Sequence, residues 1–313
     1  MMPLFPEFKR IASTDRADIE RYTTQYRPYS DFNFTNLCAW NLLEKGSACQ
    51  LNGNLAILFT DYVTSEPFLS FIGTEKSEGT AHQLIDFAKS SGIQPVLHFV
   101  PEESVRELHA SGLIATEDKS SFDYVYAVEK LADSESAGLK VKHRLARTFP
   151  ELYPEAQFEI RPITNTSIHS QVMALFHKWG ERKKARNSAY DLAHEEAAIL
   201  RLLAHAEELA HGNNMFVSCV FFKAQMIGFG IDEIVQKPYA LSHFIKGDVE
   251  YKGIYEFINE KIAQHLLTCD VQLWNWEQDL DMEGLRKAKS TYHPAEFLKK
   301  YFVSESPIAD KTL

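Results

Sequence analysis

The tightest constraint on this chain is the dipeptide Asn52-Gly53, set between the apolar runs 48–51 and 55–59. Both central positions of a two-residue hairpin turn need positive φ, which Asn and Gly adopt readily, so the two runs are predicted to be antiparallel neighbours. A strand at 68–72, a helix at 78–90 ending near Gly92 and a strand at 95–100 follow. Pro101 opens a helix at 102–110 that Gly112 ends, and 123–128 is a last strand. The order then recurs. Runs 215–222 and 226–231 flank the turn Lys223-Ala224-Gln225, and 240–245 is a third strand. Residues 253–267 make an amphipathic helix with Ile254, Phe257, Ile258, Ile262 and Leu266 on one face. A strand at 271–276, a helix at 282–290 and a closing strand or short helix at 297–303 complete it. The topology is duplicated although the letters are not. The fold class is α/β in the mixed, α+β sense: two halves, each a mixed sheet flanked by helices. The small polar linker from Leu131 to Gly138 sets the division, 1–138 and 139–313.

Outside that repeat, Ser13 or Thr14 can cap a helix reaching Tyr22. Residues 31–43 place Phe34, Leu37, Cys38 and Leu42 at helical spacing, an aromatic stripe that reads as core. A helix begins at 140–149, and a long one spans 188–210 before Gly212.

The net charge of −10 argues against non-specific nucleic-acid binding by the surface as a whole. Cys38, Cys49, Cys219 and Cys269 form no CxxC pair, so neither a disulfide framework nor a zinc site is expected. His194, His205 and His211 share one predicted helix without an HExxH pattern, and no metal is expected. No signal peptide is evident and no run approaches the ~18 apolar residues of a membrane span. A soluble, cytoplasmic protein is the expectation.

The chemistry is expected after the strand at 271–276, because ligands settle outside the carboxyl ends of strands in open α/β sheets. There the bulky Trp274-Asn275-Trp276 run breaks into Glu277-Gln278-Asp279. A short helix follows, with Arg286, Lys287 and Lys289 near its end and Tyr292 beyond it. The same acids and bases are also what a helix dipole favours, and Asp281 could be an N-cap.

The run from Glu277 to Pro294, EQDLDMEGLRKAKSTYHP, resembles the signature of the DUF2156 family, which is similar to the C-terminal domain of phosphatidylglycerol lysyltransferases. Two earlier pieces agree: Tyr29-Ser30-Asp31-Phe32-Asn33-Phe34-Thr35-Asn36-Leu37 with Trp40, and His243-Phe244-Ile245-Lys246 with Tyr251-Lys252-Gly253-Ile254-Tyr255. The resemblance implies tandem GNAT-like acyltransferase halves. It also implies a donor, either an acyl-CoA or an aminoacyl-tRNA, with no tightly bound cofactor. In a GNAT the acyl-CoA loop is rich in glycine; here Tyr251, Lys252 and Gly253 stand in for it, and the large Tyr255 replaces the second small residue. Two basic runs could hold tRNA phosphates: Lys140, Lys142, His143, Arg144 and Arg147, and Lys178, Arg182, Lys183, Lys184 and Arg186. A solvated helix face explains them equally.

Two functions are consistent with these features. The first is a soluble transferase moving an activated acyl or aminoacyl group to a small-molecule amine or hydroxyl. Glu277 or Asp279 would be the base and Tyr292 the acid for the leaving group. Asn275, Gln278, Arg286, Lys287, Lys289, His243 and Lys246 would hold substrate. The alternative is a non-catalytic or regulatory ligand-binding protein that kept the scaffold and lost the donor site.

Overall fold

The computed structural model describes residues 1–61, 63–106, 108, 112–133, 138–186, 192–210 and 214–308. Its strands are β1 (Lys9–Arg10), β2 (Ser47–Leu51), β3 (Asn54–Thr60), β4 (Pro67–Ile72), β5 (Val96–Pro101), β6 (Ile114–Glu117) and β7 (Asp123–Ala127), then β8 (Gln157–Pro162), β9 (Met215–Phe222), β10 (Gln225–Ile234), β11 (Tyr239–Gly247), β12 (Leu273–Asn275), β13 (Glu296–Leu298) and β14 (Lys300–Ser304). Its helices are α1 (Arg16–Thr23), α2 (Phe34–Ala39), α3 (Ser77–Ser90), α4 (Glu102–Val105), α5 (Val128–Ala132) and α6 (Lys140–Leu152), then α7 (His169–Arg186), α8 (Ala193–Ala204), α9 (Ala206–Leu209), α10 (Ile254–Thr268) and α11 (Glu283–Ser290). The fold is mixed α/β, with two seven-stranded mixed sheets flanked by helices in the GNAT-like order.

Two compact units emerge. The first holds Met1–Asp123, Gln278–Glu283 and Phe297–Leu313; the second holds Tyr124–Glu277 and Gly284–Glu296. The first sheet runs β1-β2-β3-β4-β5-β14-β6. The Asn52-Gly53 turn takes the expected positive φ values of 52° and 90°, and it closes β2 on β3 with Leu51 opposite Asn54. From α3, Ala81, Leu84, Ile85 and Ala88 pack with Leu69, Phe71, Leu97, Val100 and Val303. Each buried side chain of Leu or Phe size contributes about 1.5–3 kcal/mol relative to exposure.

The second sheet runs β13-β7-β12-β11-β10-β9-β8. Lys223 and Ala224 turn its central hairpin at φ 50° and 62°, so the turn forms without glycine. The apolar face of α10 predicted from spacing is buried with Phe216, Val220, Ile227, Ala240 and Trp274. Gly230 makes that approach possible, because a Cβ there would stand 2.8 Å from Ile262 Cδ1.

Sheet membership divides the chain differently from a cut near residue 138. The strand expected at 123–128 to close the first half is β7, which pairs with β12 in the second sheet. The closing strand β14 pairs with β5 and β6 in the first. The linker lies partly outside the described residues, at 134–137. The helix expected over 31–43 is shorter: a 3-10 turn at Ser30–Phe32 precedes α2, whose start is fixed by the Asn33 side chain accepting the Asn36 N–H at 2.9 Å. The helix expected over 188–210 appears as α8 and α9, with 187–191 and 211–213 outside the described residues. The long α7 had no counterpart in the sequence expectation. Among the described residues no helix is long and apolar enough to cross a membrane. Nor is any group of three or more His, Cys, Asp or Glu there arranged to hold a metal ion.

Candidate functional site

The chemistry of the second unit gathers where β10, β11 and β12 lie side by side. Neighbouring residues of a regular strand point to opposite faces, yet Asp232 and Glu233 are both buried. Both faces of the sheet are covered here, since β10 is buried from Met226 to Glu233. Ile231 pairs with Phe244 and Asp232 with Ser242, so the β11 residue between them, His243, bulges out of the ladder. Its imidazole is fully buried between two carboxylates, with Nε2 3.2 Å from Glu233 Oε2 and Nδ1 3.3 Å from Glu277 Oε1. Burial alone would lower the histidine's pKa, but Glu233 and Glu277 outweigh it and push it up to about 9. At neutral pH the ring is therefore an imidazolium that can donate from both nitrogens.

Supporting contacts fix this group. Asn214 donates to Glu233 Oε1 at 3.2 Å, and the Trp274 indole N–H donates to Asp232 Oδ1 at 3.0 Å. Burial pushes the Asp232 carboxyl up to about 7, an effect that Ser242, His243 and Trp274 only partly offset. Glu277 sits at φ 58°, where β12 gives way to the turn. Its N–H donates to Asn275 Oδ1 at 2.7 Å, and its carbonyl accepts from the Tyr124 N–H and from Lys289 Nζ, each at 3.1 Å. Lys289 Nζ also reaches the Trp276 carbonyl at 2.5 Å. Of the side chains in direct ion contact, His243 and Glu233 are sealed, whereas 18 % of Glu277 remains exposed. Three carboxylates face one imidazolium, and only Glu277 meets solvent.

The first unit holds a second buried charge cluster. Lys300 Nζ is 2.7 Å from Asp123 Oδ1, 3.1 Å from Ser30 Oγ, and ion-paired with Asp31. Asp123 also accepts the Ser30 N–H at 2.7 Å and its hydroxyl at 2.6 Å. Gln278 Nε2 donates to Asp31 Oδ1 at 2.6 Å. Burial raises the Asp31 carboxyl to about 6 against the pull of Lys300.

The expected site residues thus fall in several places. His243, Asn275 and Glu277 come together, and Gln278 belongs to the first-unit cluster. Asp279 is buried; its Oδ1 accepts the Asp281 N–H at 2.9 Å and its carbonyl accepts the Met282 N–H, an Asx turn ahead of α11. Tyr292 lies in the core with its ring 4.9 Å from Trp276 and Lys142 Nζ 4.4 Å over its face. Burial, then the charge of Glu256, raises its phenol. Lys289 is spent on backbone carbonyls, while Arg286 is half-buried and Lys287 exposed. Lys246 is buried, 2.7 Å from Glu195 and over the Trp179 ring at 4.3 Å.

At the start of α10 four of the loop's own donors are engaged. The Glu250 N–H donates to Asp248 Oδ1, the Tyr251 N–H to the Asp248 carbonyl, the Lys252 N–H to the Tyr153 hydroxyl, and the Ile254 N–H to the Tyr251 carbonyl. Gly253, at φ 89°, is pressed by α6: a Cβ there would be 2.8 Å from the Leu145 carbonyl oxygen. Asp248 itself is buried, with Lys178 2.8 Å away and Arg182 paired to it.

Of the basic runs, Lys142 and His143 turn inward to Glu256 and Glu260 at 3.2 and 2.9 Å, leaving Lys140, Arg144 and Arg147 exposed along α6. In α7, Lys178 and Arg182 serve Asp248, Lys183 lies 5.3 Å over Trp179, and Lys184 is exposed; the Arg186 side chain lies outside the described residues. Sequence reasoning missed Asp232, Glu233, Asp123 and Lys300. One signal was present: two adjacent acids inside the apolar run of β10.

Two GNAT-like sheets, with a charged cluster at the strand ends of the second, define a transferase scaffold. The chain belongs to the family of the phosphatidylglycerol lysyltransferase C-terminal domain, whose profile matches residues 23–304. Among solved structures it is similar to a conserved protein of unknown function from Bacteroides thetaiotaomicron, with 23 % identity over 97 % of this chain and 99 % of that one and a TM-score of 0.82. It is also similar to the C-terminal domain of a putative lysylphosphatidylglycerol synthetase from Agrobacterium fabrum (12 % identity, 93 % and 92 % covered, TM-score 0.62). L-PGS from Bacillus licheniformis is a third such structure (12 % identity, 95 % and 94 % covered, TM-score 0.62). At these identities the likeness establishes the fold. No curated protein matches the chain in sequence.

Proposed function

We propose that the chain is an aminoacyl- or acyltransferase that passes an activated acyl group to an amine or hydroxyl acceptor, with an aminoacyl-tRNA ester favoured over a CoA thioester as donor. The observation that carries the chemistry is Glu277, the one carboxylate of the His243 cluster that reaches solvent. A transfer of this kind needs no covalent intermediate. The acceptor must lose a proton as it attacks the carbonyl, and the developing oxyanion must be stabilised. Glu277, its backbone held by Asn275 and Lys289, is suited to take that proton and then to give it to the departing oxygen or sulfur of the donor as the carbonyl re-forms. The buried imidazolium of His243 orients its carboxylate. In this reading Asp279, Tyr292 and Lys289 serve the fold, because each is buried and engaged with the protein's own backbone or core.

The preference for an ester donor rests on the α10 start. Pyrophosphate binding at a helix N-terminus needs unclaimed N–H groups. Four N–H groups of this loop already have acceptors within the protein. Exposed Lys140, Arg144 and Arg147 are compatible with a polyanionic donor.

The test supplies labelled aminoacyl-tRNAs and, separately, acetyl-CoA, with pools of polar lipids and small amines as acceptors. Protein-dependent loss of label from at least one aminoacyl-tRNA, absent in Glu277→Gln, is expected. Acetyl-CoA should not bind with a dissociation constant under about 1 mM. Consumption of acetyl-CoA, with every aminoacyl-tRNA decaying only at its spontaneous rate, would overturn the choice of donor. Failure with both donors would favour the ligand-binding alternative.

A further inference from the structure

Away from the His243 cluster, the second unit has a cavity of about 330 Å³ between α7 and the turn joining β9 to β10. One wall is Gln171, Ala174, Leu175 and Lys178, residues that share a helix face by their spacing of three and four. The other is the run from Lys223 to Met226, bent by the positive φ of Lys223 and Ala224. The volume lies in the range of small-molecule sites, and Leu175 and Met226 are buried side chains that give the cavity an apolar floor.

Its charge is unusual for so acidic a chain. The ionisable lining residues are two lysines, one weakly paired and one paired to a carboxylate that has a second cation. Lys223 faces Glu155 at 3.9 Å with about two thirds of each side chain exposed, a contact of little energetic weight. Lys178 Nζ is ion-paired with Asp248 Oδ2 at 2.8 Å, and an ammonium with three N–H donors can hold that oxygen and still donate to another acceptor. Asp248 does not depend on Lys178 alone, because Arg182 is paired to its other oxygen. Lys178 can therefore turn towards a guest without leaving a buried carboxylate bare.

We infer that this cavity is a binding site for a small organic oxyanion, a phosphate or carboxylate group carried on a compact apolar body. Lys178 and Lys223 grip the anionic group from opposite walls, the amides of Gln171 and Gln225 are within the lining to add donors, and the apolar body rests on Leu175 and Met226. The inference stands independently of the transfer reading, since none of these residues belongs to the His243 cluster.

Titration calorimetry on the full chain tests it with phenyl phosphate, benzoate and inorganic phosphate as probes. Phenyl phosphate or benzoate should saturate with a dissociation constant below about 1 mM. Whichever binds more tightly identifies the oxyanion. Inorganic phosphate, lacking the apolar body, should bind at least ten-fold more weakly. Lys223→Gln and Lys178→Gln should each weaken binding about ten-fold. Ala174→Trp, at an exposed position on the cavity wall, should abolish it while the melting temperature stays unchanged. No saturation by either aromatic probe up to 10 mM, about −2.7 kcal/mol, would overturn the inference. So would binding that survives intact in both Lys223→Gln and Ala174→Trp, variants that leave the Asp248 pairing untouched.

Discussion

Replacing His243 with Gln should remove a pH dependence that the folded protein owes to this one ring. The histidine titrates near 6.5 in an unfolded chain and near 9 in the folded one, where Glu233 and Glu277 overcome the effect of burial. A folded pKa above the unfolded value means that the folded state binds the proton more tightly. The stabilisation is complete below pH 6.5 and is lost as pH rises through 9. At about 1.4 kcal/mol per pH unit, the full loss is about 3 kcal/mol, of which about 2 kcal/mol falls above pH 7.5. Asp232 is pushed up only to about 7 and so titrates below the window from pH 7.5 to 9.5. The buried thiols Cys49 and Cys219, pushed up to about 12, weaken both proteins alike above pH 9, so the difference between the two proteins isolates the histidine. Urea unfolding followed by tryptophan fluorescence is the suitable assay. Three of the four tryptophans, Trp179, Trp274 and Trp276, lie in the second unit with His243. With a urea dependence of about 2 kcal/mol/M, the midpoint should fall by about 1 M more across the window in the original protein than in His243→Gln. Equal slopes in the two proteins would refute the account of a buried imidazolium held by two carboxylates.

Four further substitutions separate chemistry from architecture. Glu277→Gln should lower transfer by about 10²–10⁴-fold and, as it removes one of the two carboxylates on the buried His243 ring, cost about 1.5–3 kcal/mol. Asp279→Asn, which keeps the acceptor for the Asp281 N–H, should leave transfer within a factor of about two and the melting temperature little changed. Lys300→Met should destabilise the first unit by about 3–5 kcal/mol in denaturant melts, because Asp31 and Asp123 would remain buried without their cation. Gly253→Ala should cost about 1–3 kcal/mol, as the new Cβ meets both the strain of φ 89° and the Leu145 carbonyl; a thermal melt unchanged from the original would contradict that packing.

Much of the fold was legible because it depends on local signals. Asn52-Gly53 announced its hairpin, and the spacing of Ile254, Phe257, Ile258, Ile262 and Leu266 defined the buried face of α10 to within a residue or two. The site was legible in part. Glu277 and His243 were singled out for different reasons, one as a polar break after a strand and the other through a family resemblance. Their meeting depends on a bulge in β11 that no periodicity records. Lys300 and Asp123 were invisible for a related reason. They lie 177 positions apart, and each reads alone as an ordinary charged residue near a strand end. The same limit explains the sheet exchange of β7 and β14. An apolar run predicts that a strand will be buried, but not which sheet will receive it.

The placement of β14 between β5 and β6 has a consequence for how the protein is made. The ribosome releases β1 to β6 long before residues 300–304 exist, so the first sheet cannot close during most of synthesis. Until then the edges of β5 and β6 that will flank β14 stay open, and an open edge is a template for pairing with any other extended chain. A nascent chain stalled anywhere before Lys300 is thus a species with an unfilled slot. A peptide carrying residues 300–304 would be the strand of matching register to fill it.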